Sequence, residues 1–161
     1  TRILVRLCPD SFAGDAMATL IRTELAMNGV SGDRLWLEAS EAKVFTHLRD
    51  AQQFLSAVSS LGCRMGLEQF GSGLDSFQLL AHFRPAFLKI DPGLTDDLGK
   101  GGDALEKVRE ITSRAQADGM ATLAEQVGDA PTMSQLFTLG VDYVSGGFVA
   151  PAGPEMNFEF G

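Results

Sequence analysis

The stretch from Met65 to Phe77, MGLEQFGSGLDSF, has the layout of a strand that ends in a polar pair and a glycine turn. Glu68 and Gln69 close the strand-like run. A carboxylate and a carboxamide there supply oxygen atoms of the kind that bind Mg²⁺. The Gly71-Ser72-Gly73 turn has backbone suited to a phosphate, but a turn after a strand needs glycine in any case, and we favour that structural explanation.

Polar or charged side chains also stand near the carboxyl end of every other strand-like run. They are Arg6, Glu38, Lys89 with Asp91, Glu125 and Ser145. In a (β/α) barrel the carboxyl ends of the strands meet at one mouth, where active sites are built. The pattern therefore predicts one shared site.

The elements that must position these residues are strand-like runs alternating with helical patterns. The predicted strands are Ile3–Cys8, Arg34–Ala39, Arg64–Gln69, Ala86–Asp91, Met120–Glu125 and Val141–Gly146. The predicted helices are Asp10–Gly29, a region in two pieces from Ser40 to Gly62, Ser76–Phe83, either two short helices or one helix broken at Gly99–Asp103, and Ala130–Gly140. This alternation predicts an α/β fold with a parallel sheet covered by helices.

Two architectures fit that pattern. A doubly wound open sheet suits the length of 161 residues, whereas a (β/α)8 barrel has eight units and typically about 250 residues. No glycine-rich dinucleotide fingerprint follows the first strand, which weakens the doubly wound alternative. The shared position of the polar residues favours a barrel with part of its chain missing.

Composition narrows the possible functions. The hydrophobic fraction of 45% suits one folded domain, and the net charge of -8 argues against binding of a nucleic-acid polymer. No apolar run approaches the ~20 residues of a membrane span. Cys8 and Cys63 lack zinc or redox spacing and are expected to be buried free thiols in a reducing cytoplasm. His47 and His82 are expected on outer helices or at an interface.

Several segments together resemble an EAL domain, the fold of cyclic di-GMP phosphodiesterases. They are LEASE (Leu37–Glu41), LGCRMGLEQFGSGLDSF (Leu61–Phe77), LKID (Leu88–Asp91), AEQVGD (Ala124–Asp129) and GVDYVSGGFVAPAGP (Gly140–Pro154). The resemblance implies a (β/α)8 TIM-like barrel. Residues 1–161 would be the C-terminal part of one EAL-like domain. The strand with the EAL motif, and further signalling domains, are expected upstream.

Departures from the family pattern imply that catalysis is lost. Active members hold divalent metal with carboxylates and one asparagine. That asparagine corresponds to Arg6 here, and two aspartates correspond to Glu68 and Gln69. A permanent cation and a neutral amide oppose metal binding, and magnesium tolerates little change in ligand geometry. The resemblance thus implies a catalytically inactive receptor, with no catalytic residue, no metal at these positions, and neither Mg nor Mn required as a cofactor.

The same resemblance implies which residues hold the ligand. Arg6 is expected to give the phosphate a fixed counter-charge through a forked pair of hydrogen bonds. Glu125 is expected to accept a hydrogen bond from a ligand NH or water, while Lys89 either faces the mouth or neutralises Asp91 or Glu38. The expected ligand-binding set is Arg6, Glu125, Gln126, Ser145, Gly146, Gly147, Phe148 and Pro151, with Glu38, Lys89 and Asp91 as secondary contacts.

A narrower resemblance, to EAL domains of multidomain signalling proteins from xanthomonads, implies a partner. It implies a PilZ-type adaptor protein, control of type IV pilus function and twitching motility, and a cytoplasmic location without membrane contact. Two alternatives stay open. One is a weak phosphodiesterase that uses Glu38, Glu68 and Asp91 with manganese or magnesium to give pGpG, and the other is a scaffold that binds no ligand.

Overall fold

The computed structural model describes residues 1–73, 75–150 and 153. It forms one six-stranded parallel sheet in which each strand pairs with its neighbours along the chain, in the order β1-β2-β3-β4-β5-β6. The strands are β1 (Ile3–Arg6), β2 (Leu35–Ser40), β3 (Arg64–Phe70), β4 (Phe87–Ile90), β5 (Ala121–Ala124) and β6 (Tyr143–Val144).

Helices connect these strands. They are α1 (Ala16–Met27), α2 (Glu41–Thr46), α3 (Leu48–Ser60), α4 (Ser76–His82), α5 (Pro92–Asp97), α6 (Asp103–Ala117) and α7 (Ala130–Thr138), with 3-10 turns at Pro9–Phe12, Gly32–Arg34 and Leu98–Lys100. Within the described part of the chain the strand order does not reverse, so this sheet lacks the switch point that defines a doubly wound sheet. The structure therefore confirms the barrel type, which the described residues form as a partial TIM-like barrel with six parallel strands.

Some predicted details were wrong. The first strand ends at Arg6, so Cys8 lies outside it and is exposed, whereas Cys63 is buried as expected. The predicted first helix is a 3-10 turn followed by α1. Of the two alternatives around residues 99–103, the two-helix one is right, because Gly101 and Gly102 take φ values of 70° and 69° and end the helical path.

One face of the sheet carries the helix-side core. Alternate strand residues such as Leu37, Met65, Leu88 and Ala124 are buried there, because successive side chains of a strand point to opposite faces. They join helix residues in one cluster, including Ala51, Phe54, Val58, Val108, Ile111, Ala115 and Leu136. This packing fixes the strands, and hence the other face, on which the polar residues lie.

The other face holds an aromatic layer near the amino ends of the strands. Trp36 stacks on Phe87 with ring centroids 5.0 Å apart and meets the edge of Tyr143 at 6.1 Å. The guanidinium carbon of Arg64 lies 5.3 Å from the Trp36 ring centroid. Gly66 leaves room for this layer, since a Cβ there would come within 2.3 Å of the Phe87 ring. The layer closes the base of the face beneath the polar site.

None of the helices in the described residues combines the length and the apolar character that crossing a bilayer requires.

Candidate functional site

A buried lysine ties two glutamates together at the carboxyl ends of β2, β4 and β5. The Nζ atom of Lys89 donates to both carboxylate oxygens of Glu38, at 2.9 and 3.0 Å, and lies 2.7 Å from Oε1 of Glu125. Burial alone would lower the pKa of Lys89, but the bonds to Glu125 and Glu38 outweigh burial and raise that pKa. Lys89 is therefore a fixed cation that holds both carboxylates.

A second cation, Arg6, sits at the end of the neighbouring strand β1. Its Nη2 lies 2.5 Å from Oε2 of Glu68, and its Nε lies 3.8 Å from Oε1 of Glu38. In the strand register, Arg6 of β1 pairs with Glu38 of β2, and Ser40 of β2 pairs with Glu68 of β3. The arginine side chain is 63% exposed, whereas that of Glu68 is only 7% exposed. The guanidinium thus lies over a buried carboxylate with its outer edge in solvent.

The charge balance at Glu68 is incomplete. Oε2 of Glu68 is buried and makes no hydrogen bond of good geometry with the described residues, so its compensation is the close charge of Arg6. Burial raises the pKa of the Glu68 carboxyl, and the nearby guanidinium lowers it only in part. Ionised Glu68 is consequently costly in the folded protein.

The ion pairs of the glutamates bear on whether their carboxylates can bind a divalent cation. The glutamates of the cluster, namely Glu38, Glu68 and Glu125, each contact Arg6 or Lys89. In residues 1–73, 75–150 and 153, no group of three or more His, Cys, Asp or Glu is arranged to hold a metal ion. In this arrangement, a cation that binds Glu68 would have to displace the guanidinium of Arg6.

The loops after β5 and β6 are joined by backbone hydrogen bonds. The amide of Val127 donates to Ser145 O at 3.0 Å, and its carbonyl accepts from Phe148 N at 3.2 Å. Gly146, at φ 151°, lies so close that a Cβ would be 2.4 Å from the Val127 nitrogen. The backbone of Gly146 therefore packs closely against the protein's own chain at Val127. It leaves the ring of Phe148 47% exposed.

The other expected site residues are more scattered. Gln126, Ser145 and Gly147 are exposed in those same loops. Asp91 does not join the cluster, because its Oδ1 caps α5 by accepting from Gly93 N at 2.9 Å. Gln69 is exposed, with φ 55°, near the carboxyl end of β3. Pro151 lies outside the described residues.

No role was predicted for Glu41 from the sequence. It is buried at the start of α2, and its Oε2 accepts from the amide of Gly71 at 3.0 Å. The contact ties the glycine turn after β3 to the end of β2, which supports the structural explanation of that turn. Glu41 is the second glutamate of the LEASE segment, three residues after Glu38, and this position is the sequence feature that could have indicated its role.

Comparison with protein families gives a single description. The family model for the EAL domain matches residues 1–152. Among solved structures, the EAL domain of Xanthomonas citri FimX in complex with c-diGMP is similar with a TM-score of 0.96 and 63% identity, covering 100% of this chain and 64% of that one.

The chain is also similar to more distant relatives. The FimX EAL domain of Pseudomonas aeruginosa bound to c-di-GMP is similar with a TM-score of 0.93 and 22% identity, covering 100% of this chain and 66% of that chain. The cyclic di-GMP phosphodiesterase PdeF of Escherichia coli is 25% identical over 153 residues, which are 95% of this chain and 20% of that protein. The chain therefore spans about a fifth of the length of that curated relative.

Proposed function

The chain belongs to the EAL domain family, and from that membership we propose that it is a cyclic di-GMP receptor that needs no metal and leaves the dinucleotide intact. The observation that carries the proposal is the contact between Arg6 and Glu68. It puts a permanent cation on the carboxylate that corresponds to a metal-binding aspartate of active members. Without a bound metal there is no ion to lower the pKa of an attacking water.

The geometry of Arg6 also supports phosphate binding. A guanidinium has five N–H donors, and the contacts with Glu68 and Glu38 use only its Nη2 and Nε side. The exposed edge is suited to a forked pair of hydrogen bonds with phosphate oxygens. Such binding holds the ground state and the transition state about equally, which gives affinity without turnover.

Lys89 has a different role in this proposal. Lys89 lies at hydrogen-bond distance from both Glu38 and Glu125. Its charge is therefore neutralised within the protein, and its role is to hold these two carboxylates in position. The side chain of Glu125 is 31% exposed, and the contact with Lys89 is made by its Oε1. We assign Glu125 to accept a hydrogen bond from a guanine NH. The loop residues Gln126, Ser145, Gly146, Gly147 and Phe148 complete the proposed site, and we propose that Pro151, which lies outside the described residues, also contacts the ligand.

Calorimetry with cyclic di-GMP in EDTA tests the proposal. The purified protein is expected to bind in chelator, and Arg6→Ala to bind roughly 10- to 100-fold more weakly, since a hydrogen bond to a charged group contributes about 1.5–3 kcal/mol. Arg109→Ala, an exposed arginine of α6, is the matched control and should bind normally. Loss of wild-type binding in EDTA, or normal affinity of Arg6→Ala, would contradict the proposal.

A slow phosphodiesterase is the second candidate. Its support is that Arg6 contacts both Glu38 and Glu68, so their carboxylates lie near each other. Incubation with cyclic di-GMP and Mn²⁺ or Mg²⁺, followed by chromatography, separates the two candidates. Linear pGpG that forms in proportion to enzyme concentration, and is lost in Glu38→Gln, would favour the enzyme.

We further propose that the domain acts in the cytoplasm and reports the dinucleotide to a PilZ-type adaptor in control of type IV pili. The support is the 63% identity to the FimX EAL domain of Xanthomonas citri. Calorimetric titration of the adaptor into the protein, with and without cyclic di-GMP, tests the idea. Absence of heat in both titrations would refute it.

A further inference from the structure

The end of the barrel opposite the candidate site carries a row of arginines. One exposed arginine lies at the amino end of each of four successive strands: Arg2 before β1, Arg34 before β2, Arg64 at the start of β3 and Arg84 before β4. Neighbouring strands of a sheet are about 4.8 Å apart, so this arginine row spans roughly 14 Å. In a chain of net charge -8, the row is a local concentration of positive charge.

The arginine row is not neutralised by ion pairs. In residues 1–73, 75–150 and 153, the arginines that form ion pairs are Arg6 and Arg114, neither of which belongs to the row. The acidic residue beside Arg34 is Asp33, whose pKa is lowered first by a hydrogen bond with Ser31 and less by the charges of nearby arginines. The guanidiniums of the row therefore keep their hydrogen-bond donors and their charge for a partner.

The ring of Trp36 holds two of the four guanidiniums in place. The guanidinium carbons of Arg64 and Arg2 lie 5.3 and 5.7 Å from its ring centroid. Trp36 is only 7% exposed, stacks on Phe87, and donates from Nε1 to Asp33 O at 3.2 Å. A guanidinium on an aromatic ring is attracted to the face of that ring and still presents N–H groups at its edge. Both cations are thus oriented before a partner binds, which lowers the entropy cost of binding.

Concave surface flanks the row. Arg2 and Arg34 line a cavity of about 510 Å³ together with Asp33. Arg84 lines a second cavity, of about 350 Å³, together with Arg114. The cations therefore lie beside hollows that can receive the side chains of a bound segment.

We propose that the arginine row docks an extended acidic segment of a partner protein at the end of the barrel away from the dinucleotide. Carboxylates accept forked pairs of hydrogen bonds from guanidiniums, and four or five residues of extended chain span the row. The net charge of -8 repels long polyanions, which favours a short acidic segment over a nucleic-acid polymer. Docking at this end leaves the mouth with Arg6 and Glu125 open, so it does not depend on the proposed function.

Fluorescence anisotropy with a fluorescein-labelled peptide of eight glutamates, at low ionic strength, tests the proposal. The wild-type protein is expected to bind this peptide, and Arg2→Gln/Arg64→Gln to bind it roughly tenfold more weakly, since each exposed charge pair contributes up to about fivefold. Arg22→Gln/Arg109→Gln removes the same charge from exposed positions of α1 and α6. It is the matched control and should keep wild-type affinity.

A second variant of the row covers the case in which loss of the Trp36 contacts prevents folding. Arg34→Gln/Arg84→Gln leaves those contacts in place and should also weaken peptide binding roughly tenfold. Wild-type affinity in this variant would overturn the proposal.

Three other outcomes would also overturn it. The first is no binding of the peptide by the wild-type protein. The second is an equal loss in Arg22→Gln/Arg109→Gln, because binding would then follow net charge and not the row. The third is tighter binding of phosphatidylglycerol vesicles or of an oligouridylate than of the peptide, since the partner would then be a membrane or a nucleic acid.

Discussion

Replacing Glu68 by glutamine should strengthen cyclic di-GMP binding. Glu68 is a buried carboxylate that holds the guanidinium of Arg6 and repels an incoming phosphate. Glutamine has nearly the same shape but no charge, so the variant frees Arg6 without opening a cavity. If Arg6 is the phosphate contact, removing its internal competitor makes the guanidinium available to the ligand.

The structure limits the size of the gain. Because the Arg6 side chain is 63% exposed, solvent screens its pairing with Glu68. Ion pairs with an exposed member are worth up to about 1 kcal/mol. Glu68→Gln should therefore bind about two- to fivefold more tightly, measured by calorimetry in EDTA. Glu110→Gln, an exposed change of equal charge on α6, is the control and should leave affinity unchanged.

The pH dependence of cyclic di-GMP affinity tests the same reasoning in a second way. The pKa of the Glu68 carboxyl is raised by burial above the ordinary 4.5, so its ionised form lowers folded stability at neutral pH. That cost disappears as the pH falls through the folded-state pKa, where protonation also releases Arg6. Wild-type affinity should rise in this window, above pH 4.5, and the rise should be absent in Glu68→Gln. Affinity in Glu68→Gln equal to or below wild type at neutral pH would refute the reasoning.

Three further predictions concern the scaffold of the site. Lys89→Met should lower stability at neutral pH by about 3–5 kcal/mol, because it leaves Glu38 buried without its counter-charge. The folded-state pKa of Lys89 lies above 10.5, so its contribution to folding stability is fully present below pH 10.5 and is lost as the pH rises through the folded-state pKa. The difference in unfolding free energy between wild type and Lys89→Met, measured by urea unfolding, should therefore narrow above pH 10.5. A difference that stays constant would contradict this prediction. Gly66→Ala should cost about 1–3 kcal/mol in urea unfolding by pushing the Phe87 ring aside, and an unchanged midpoint would show that the ring adapts freely. Gly146→Ala should separate the loops after β5 and β6 and weaken nucleotide binding in calorimetry, whereas normal affinity would exclude those loops from the site.

The sequence predicted the architecture because the signals for it are local. Alternation of strand-like and helical periods indicated the order of elements, and polar residues at strand ends indicated which end carries a site. Side-chain pairing was harder to predict. Lys89 was expected to face the mouth or to neutralise Asp91 or Glu38, and the structure pairs it with Glu38 and Glu125. Which carboxylates pair with Lys89 depends on the register between strands, which the sequence does not show.

Two features had no usable sequence signal. The contact between Arg6 and Glu68 joins residues far apart in sequence on strands that are not neighbours, so neither motif nor spacing indicated it. The left-handed φ of Gln126 was also hidden, because glutamine is not a residue type that marks this conformation. Exposure of Cys8 was missed because the apolar run was extended beyond Arg6, where the strand ends.

A crystal structure of the complex, grown with cyclic di-GMP and excess Mn²⁺, tests the central claim most directly through the anomalous scattering of manganese. We predict an intact dinucleotide whose phosphate is hydrogen-bonded by Arg6, with no manganese peak between Glu38 and Glu68. A manganese ion bridging those two carboxylates next to a cleaved phosphodiester would contradict the account.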